Sequence, residues 1–331
     1  MSLRFVLRRK ASLVLMATVV VATAALQGCS TSGDITKALN PDPPAKMYAD
    51  ADAYLARGSW ADAAKKFEDL DRDHPYAPEA RRAIVMAAFA YYKAGKFPDA
   101  ISAARRYTTM HPGTKEAALA HHIIASAHFD EIQVPSRDQT NTRRALAELK
   151  TLRSRYPDSP YAKQADNRIR IAEDVLAASE MNVGRYYQKN RNYVAAINRF
   201  RTVVVEYQTT AHVEEALFRL TETYMFLGIR NEAQTAAAVL GHNFPESRWY
   251  KDSYALLRAD GLTPSVSAGS WITKAVQSLT PGAKPSAPPA KPTPDDLPIP
   301  PTGPLPPVAP PPADAPTAAT PGAKRVSLTG G

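Results

Sequence analysis

Apolar side chains recur at intervals of three and four residues from Lys46 to about Arg258, with polar side chains between them. This period places the apolar residues on one face of an α-helix, whereas a half-buried strand alternates at every second residue. Strand-like alternation does not occur in that region, which is dominated by alanine, leucine, arginine and glutamate. The pattern therefore predicts an all-α protein that is helical throughout this region.

A structural repeat is visible at the ends of the predicted helices. Four helices end in an aromatic residue or histidine followed by proline, and Gln208 stands where a fifth proline would fall. We call these positions the repeat marks: Pro75, Pro112, Pro157, Gln208 and Pro245. The residue twelve positions before each mark is alanine: Ala63, Ala100, Ala145, Ala196 and Ala233. Glycine stands seventeen positions before three marks (Gly58, Gly95, Gly228), and tyrosine twenty-one before four (Tyr54, Tyr91, Tyr187, Tyr224).

This spacing resembles that of tetratricopeptide (TPR) repeats. Alanine allows two antiparallel helices to cross closely, glycine suits the turn between them, and proline ends the second helix. The third repeat departs from the pattern with an insertion at 133–141, and the fourth opens with an uninterrupted helical run over about 161–189. The sequence therefore predicts a TPR-like helical solenoid of about five helix pairs with a long connecting helix. Repeats one to three occupy 46–160, and the long helix with repeats four and five occupies 161–260.

Both ends of the chain differ in character from the repeats. Residues 1–28 combine four basic residues with an apolar stretch of 15 residues, which is typical of a secretory leader and short for a membrane span. Residues 29–45 read as a polar tether, and 261–280 as a short amphipathic segment. Residues 281–331 contain 17 of the 29 prolines and are predicted to be a disordered Pro-rich tail.

The leader ends in Leu26-Gln27-Gly28-Cys29, which resembles the lipobox of bacterial lipoproteins. Cys29 is the only cysteine, and lipid attachment would explain a lone thiol in an oxidising compartment. The alternative is an ordinary secretory leader with a chance cysteine. By the same resemblance, Ser30 favours the inner leaflet of the outer membrane, with the domain facing the periplasm.

Charge and motifs argue against several functions. The formal charge is +9, but four basic residues lie in the leader, and no basic stripe is interleaved with aromatics, so nucleic acid is not an expected partner. Neither a nucleophile elbow, a phosphate loop nor an HExxH helix occurs. His121, His122 and His128 lack converging cysteines or carboxylates for a metal site. We expect a binding scaffold and neither an enzyme nor a cofactor protein.

Four stretches resemble the BamD family, the TPR lipoproteins of the outer-membrane β-barrel assembly machinery. They are the lipobox with Pro43–Tyr48; His74–Pro78 with Ala90–Lys93; Arg137-Asp138 with Tyr156–Tyr161; and Tyr186-Tyr187 with Tyr193–Arg199. The resemblance covers about residues 26–250, and the tail has no counterpart. It implies an outer-membrane scaffold that binds the periplasmic domains of a BamA-like barrel subunit, other assembly lipoproteins and the C-terminal signals of unfolded outer-membrane proteins. The alternative is another envelope TPR lipoprotein that coordinates cell-wall synthesis with the outer membrane.

Two candidate binding surfaces follow from the repeat positions. First helices of TPR units line a concave groove, and a peptide with an aromatic end and a carboxylate would meet aromatic and basic residues there. The predicted groove residues are Tyr48, Asp52, Leu55, Arg82, Val85, Phe89, Tyr92 and Lys93. The alternative is that these aromatics only pack between neighbouring repeats. Arg199 should be exposed on the second helix of repeat four, and the resemblance makes it a candidate contact to the barrel subunit rather than a solvated arginine.

Overall fold

Helices form throughout the region of three-to-four-residue periodicity. The computed structural model describes residues 41–275; the leader, Cys29, residues 276–280 and the Pro-rich tail lie outside the described residues. Within them the helices are α1 (Pro44–Ala56), α2 (Trp60–Asp73), α3 (Pro78–Lys93), α4 (Phe97–Met110), α5 (Glu116–Asp130), α6 (Thr140–Arg155), α7 (Pro160–Lys189), α8 (Tyr193–Glu206), α9 (His212–Phe226), α10 (Arg230–Asn243), α11 (Arg248–Ala259) and α12 (Trp271–Ala275).

Successive helices pack against one another, so that α1 to α10 form five consecutive pairs. α11 packs on α9 and α10 at the end of the series. The alanines twelve residues before the repeat marks are fully buried in all five repeats, as a close crossing of two helices requires. The predicted all-α, TPR-like solenoid is therefore confirmed for the described residues.

The turns within the pairs require a left-handed residue. Gly58, Gly95 and Gly228 have φ angles of 71–73°, a region that glycine enters without steric cost. Arg191 stands at the same repeat position in the fourth unit and adopts a φ of 60°. A side chain in this region is strained by about 1–2 kcal/mol. The repeat therefore imposes its turn geometry even where the sequence supplies no glycine.

The long helix α7 joins two hydrophobic cores. Ile169 and Ile171, in its first half, belong to the core formed with α1 to α6. Ala177 and Met181, further along, belong to the core formed with α8 to α12. Because one continuous helix contributes to both cores, it connects the first three repeats to the last two, as predicted.

The residues after α11 fold back over the last two repeats. We call residues 261–275 the strap, and its final turn is α12, which packs on α8 and α10. Ile272 is fully buried, and the indole Nε1 of Trp271 donates to the Tyr224 hydroxyl at 2.9 Å. Among residues 41–275, no helix is long and apolar enough to cross a membrane.

Candidate functional site

The first helices of repeats one and two bring part of the predicted groove together. The Tyr48 ring packs edge-on against Phe67, with ring centroids 5.3 Å apart. The Arg82 guanidinium from α3 lies 5.6 Å from the Tyr48 ring centroid. Asp52 follows Tyr48 by one turn of α1 and is half-buried, whereas Leu55 is buried. Lys93, at the end of α3, is half-buried.

Two polar atoms in this cluster are buried without a hydrogen-bond partner among the described residues: the Tyr48 hydroxyl and Asp52 Oδ1. Burial raises the pKa of the Asp52 carboxyl above its ordinary value, and the Arg82 guanidinium offsets part of that rise. Burial, with the nearby Asp52 carboxylate, also raises the pKa of the Tyr48 hydroxyl. Buried polar groups are normally paired, so unpaired ones mark a place where a ligand could supply the missing bonds.

The other predicted groove residues lie in the core. Val85, Phe89 and Tyr92 are at most 1% exposed. Phe89 packs edge-on against Trp60, and the Tyr92 hydroxyl donates to Asp130 Oδ2 at 2.6 Å. These three side chains therefore pack between helices, which corrects the expectation of an open aromatic pocket formed by Tyr48, Phe89 and Tyr92. The helical period alone could not separate a groove-lining position from a core position on α3.

Arg199 is exposed on α8, while Ala196, Phe200 and Val203 take the buried stripe, as the helical register predicts. Its Nη1 donates to Glu180 Oε2 of α7 at 3.1 Å. The arginine is thus held by a carboxylate nineteen residues away, which no local sequence signal indicates. The ion pair is solvent-accessible, with 44% of the Arg199 side chain and 21% of the Glu180 side chain exposed.

A glycine sets the distance between the two helices that carry this ion pair. Gly184 of α7 lies directly against the ring of Phe200, so a Cβ built there would be only 2.4 Å from Cε1. The close approach brings Glu180 of α7 within reach of Arg199 of α8.

Valines form an exposed stripe on the same helix. Val194 and Val205 are 65% and 44% exposed, and eleven residues place them on one face of α8, about three turns apart. Five and six residues separate Val194 and Val205 from Arg199, which places the valines on a different face of α8 from the arginine. The periodicity alone did not reveal these valines as exposed.

The described chain begins at a defined point on the first repeat. His74 Nε2 donates to the Asp42 backbone carbonyl at 2.8 Å, so the histidine of the first repeat-mark motif fixes the entry of the chain. Lys46 pairs with the Asp42 carboxylate at 2.9 Å. Cys29 lies outside the described residues, thirteen residues before Asp42.

The three histidines noted in the sequence have separate environments. His121 Nδ1 lies 2.9 Å from Glu148 Oε2, whereas His122 is fully buried and stacks on Tyr161 at 4.9 Å between ring centroids. His128 is also buried. No group of three or more potential metal ligands converges among residues 41–275.

The missing proline of the fourth repeat has a structural reason. The Gln208 side-chain amide donates to the backbone carbonyl of Ala275, the last described residue of the strap, at 2.6 Å. A proline could not make this bond. The departure from the repeat pattern therefore coincides with a contact to the docked strap.

The chain matches the family described as "Outer membrane lipoprotein" (YfiO) over residues 40–240. It is 39% identical to the "Outer membrane protein assembly factor BamD" of Caulobacter vibrioides, over 81% of this chain and 87% of that protein. Relatives with the same name are found in Rickettsia prowazekii (32% identical, over 74% of this chain and 96% of that protein) and Neisseria meningitidis serogroup A (33%, over 67% and 88%). The matched residues 40–240 take in α1 to α9 and most of α10.

Proposed function

Because the chain belongs to the BamD family of outer membrane protein assembly factors, we propose that it is a lipid-anchored scaffold that joins a barrel-forming subunit to unfolded outer-membrane proteins. Members of this family are assembly factors and not enzymes. The chain acts at the outer membrane, and its helical repeats supply binding surfaces. The positioned Arg199 is the observation on which the partner surface rests.

The surface for the barrel subunit is the face of α7 and α8 that carries Arg199 and Glu180. The Gly184 contact holds the two helices at a fixed spacing, so the guanidinium is presented in a defined position. The Arg199 guanidinium carries five N–H donors, so it can bind a carboxylate of the barrel subunit while it keeps its bond to Glu180.

The test is a titration of the full chain with the isolated periplasmic domains of the barrel subunit. Arg199→Glu removes the contact and places two carboxylates opposite each other. We expect at least about a thirtyfold loss of affinity, because breaking a desolvated interfacial charge pair costs about 2–5 kcal/mol. Arg153→Glu is the matched control, since Arg153 is an exposed arginine paired with one acid, Asp166, at 3.3 Å.

A second variant separates a contact residue from a structural one. Glu180→Gln releases Arg199 from its intramolecular partner but leaves the arginine available. If Arg199 contacts the barrel subunit, this variant keeps or gains affinity. Equal losses in Arg199→Glu and Glu180→Gln would show that the ion pair is structural, and unchanged affinity of a folded Arg199→Glu protein would remove it from the interface.

The end of an unfolded outer-membrane protein would bind at the α1/α3 surface formed by Tyr48, Asp52, Leu55, Arg82 and Lys93. The unpaired Tyr48 hydroxyl can donate to a peptide carboxylate, and the Arg82 guanidinium can pair with it. Leu55 and the Tyr48 ring are 6% and 8% exposed, so only their outer edges can contact a terminal aromatic side chain. Val85, Phe89 and Tyr92 lie beneath as the packed support of this surface.

A ten-residue peptide that ends in phenylalanine tests this site, as the free acid and as the C-terminal amide. Arg82→Ala should weaken binding of the free-acid peptide by about tenfold, because it removes a hydrogen bond to a charged group. Binding of the amidated peptide should be unaffected. Arg57→Ala is the matched control because Arg57 stacks on Tyr54 at 4.6 Å, away from this surface. Equal effects of Arg82→Ala on acid and amide would exclude carboxylate recognition.

Lipidation of Cys29 would hold the scaffold beneath the outer membrane. Thirteen residues separate Cys29 from Asp42, where His74 fixes the chain. An extended chain of that length spans at most about 45 Å. The first repeat is therefore restricted to this distance from the inner leaflet, on the periplasmic side.

A further inference from the structure

The strap shows how a segment that is extended and then turns into a short helix binds between the second helices of two successive repeats. The Thr235 hydroxyl accepts from the Ser267 backbone amide at 3.1 Å, and Glu232 accepts from the Ser270 hydroxyl at 2.6 Å. On the neighbouring helix, the Arg201 guanidinium lies 4.9 Å from the Trp271 ring centroid. The Gln208 side-chain amide also donates to the strap backbone. We call this site, between α8 and α10, the α8/α10 groove.

A second groove of the same kind lies between α2 and α4, in repeats one and two. It encloses a cavity of about 680 Å³, which we call the α2/α4 groove. Its lining residues include Glu68, Pro75, Asp99, Ser102 and Met110, and an ion pair between Arg106 and Asp71 links its two walls. The strap lies over the other end of the solenoid, on α8 and α10.

The two grooves coincide position by position when residues are counted back from the repeat marks. Glu68 corresponds to Arg201, seven residues before its mark, and Pro75 corresponds to Gln208 at the mark. On the other wall, Asp99 corresponds to Glu232 and Ser102 to Thr235. These four of the positions that bind the strap therefore line the α2/α4 groove as well.

The substitutions between the grooves change the ligand that would fit. Asp99 keeps the carboxylate that accepts a hydroxyl in the α8/α10 groove. At the position of Arg201, however, Glu68 places a carboxylate, which now accepts from the Tyr91 hydroxyl at 2.6 Å. A neighbouring aromatic suits a guanidinium, whereas a lysine or arginine suits a carboxylate. Met110, 57% exposed, adds apolar surface at the rim.

We propose that the α2/α4 groove binds a strap-like segment of a partner protein, extended and then helical, in which a serine or threonine at the start of the helix is followed directly by lysine or arginine. The hydroxyl donates to Asp99 and the cation pairs with Glu68. This order follows from the strap, where Ser270 and Trp271 are consecutive and reach the two equivalent positions. The site lies on the second helices of repeats one and two, separate from the α1/α3 surface and from Arg199.

A labelled peptide with the sequence of residues 261–275 and Trp271→Lys is the probe. We expect saturable binding to the full chain, and weaker binding of the unchanged sequence, whose tryptophan meets Glu68 instead of an arginine. Asp99→Asn and Ser102→Trp should each weaken the lysine peptide by about tenfold or more, the first by removing a charged acceptor and the second by filling the groove.

Asp62→Asn is the matched control. Asp62 stands at the same repeat position as Asp99, but in the first unit, where no preceding repeat forms an opposite wall. Glu232→Gln tests whether the peptide instead displaces the strap. The proposal is overturned if no binding saturates below about 1 mM, if Asp62→Asn matches Asp99→Asn, or if Glu232→Gln alone abolishes binding.

Discussion

Gly184 is the position where a single methyl group should have the largest defined effect. A Cβ at this site would lie 2.4, 2.8 and 3.0 Å from Cε1, Cδ1 and Cζ of Phe200. Carbon atoms in contact prefer about 3.5–4.0 Å, so the ring or the helix must move by about 1 Å. Phe200 is fully buried and cannot turn away into solvent. Gly184→Ala therefore forces α7 and α8 apart.

Two opposing contributions decide the magnitude. Overpacking of a core costs about 1–3 kcal/mol. Replacing glycine by alanine inside a helix stabilises the folded state by up to about 1 kcal/mol, because alanine has the higher helix propensity. We expect Gly184→Ala to lower the free energy of unfolding by about 1–2 kcal/mol. For a folded region of this size, that corresponds to a fall in melting temperature of about 2–8 °C.

Thermal melts followed by circular dichroism measure this shift, with Gly113→Ala as the control because a Cβ there has no neighbour within 4 Å. Phe200→Leu in the same background should relieve the clash, so the double variant should lose less stability than the sum of the two single ones. Stabilisation by Gly184→Ala, or strict additivity with Phe200→Leu, would refute the close approach.

Five further outcomes are expected. Ile272→Ala should lower the free energy of unfolding by about 2–5 kcal/mol, since Ile272 is fully buried. Deletion of 281–331 should leave the melting temperature nearly unchanged. A large fall in melting temperature on deletion would show that the tail docks. Cys29→Ser should abolish fatty-acid labelling, and retained label would exclude Cys29 as the anchor. Arg191→Gly should raise the free energy of unfolding by up to about 1 kcal/mol in denaturant titrations, because it relieves a left-handed φ; no gain would argue against strain. Burial lowers the pKa of His122 to about 3, so between pH 6.5 and 3 the unfolded chain binds a proton that the folded chain excludes. The free energy of unfolding should therefore decrease as the pH is lowered through that window, by about 2 kcal/mol at pH 5. His122→Phe should flatten this pH dependence.

The repeat could be predicted from the sequence because its determinants are local. A buried alanine, a turn residue and a helix-ending proline act within one helix pair, and their spacing in the chain is set by helix length. The same counting placed Arg199 outside the buried stripe of α8. It failed for Val85, Phe89 and Tyr92, because α3 is covered on several sides and a helix buried all round has no periodic signature.

The sequence by itself determined that the chain forms about five helix pairs joined by a long helix, and that Arg199 faces outward. Only the tertiary structure decided which carboxylate holds Arg199, how closely Gly184 brings α7 to α8, and which groove the strap fills. These features depend on residues far apart in the chain, such as Glu180 with Arg199 and Gln208 with Ala275. Helix formation follows from neighbours three and four residues apart, whereas the contacts between repeats depend on the packing of separate helices, which no local period encodes.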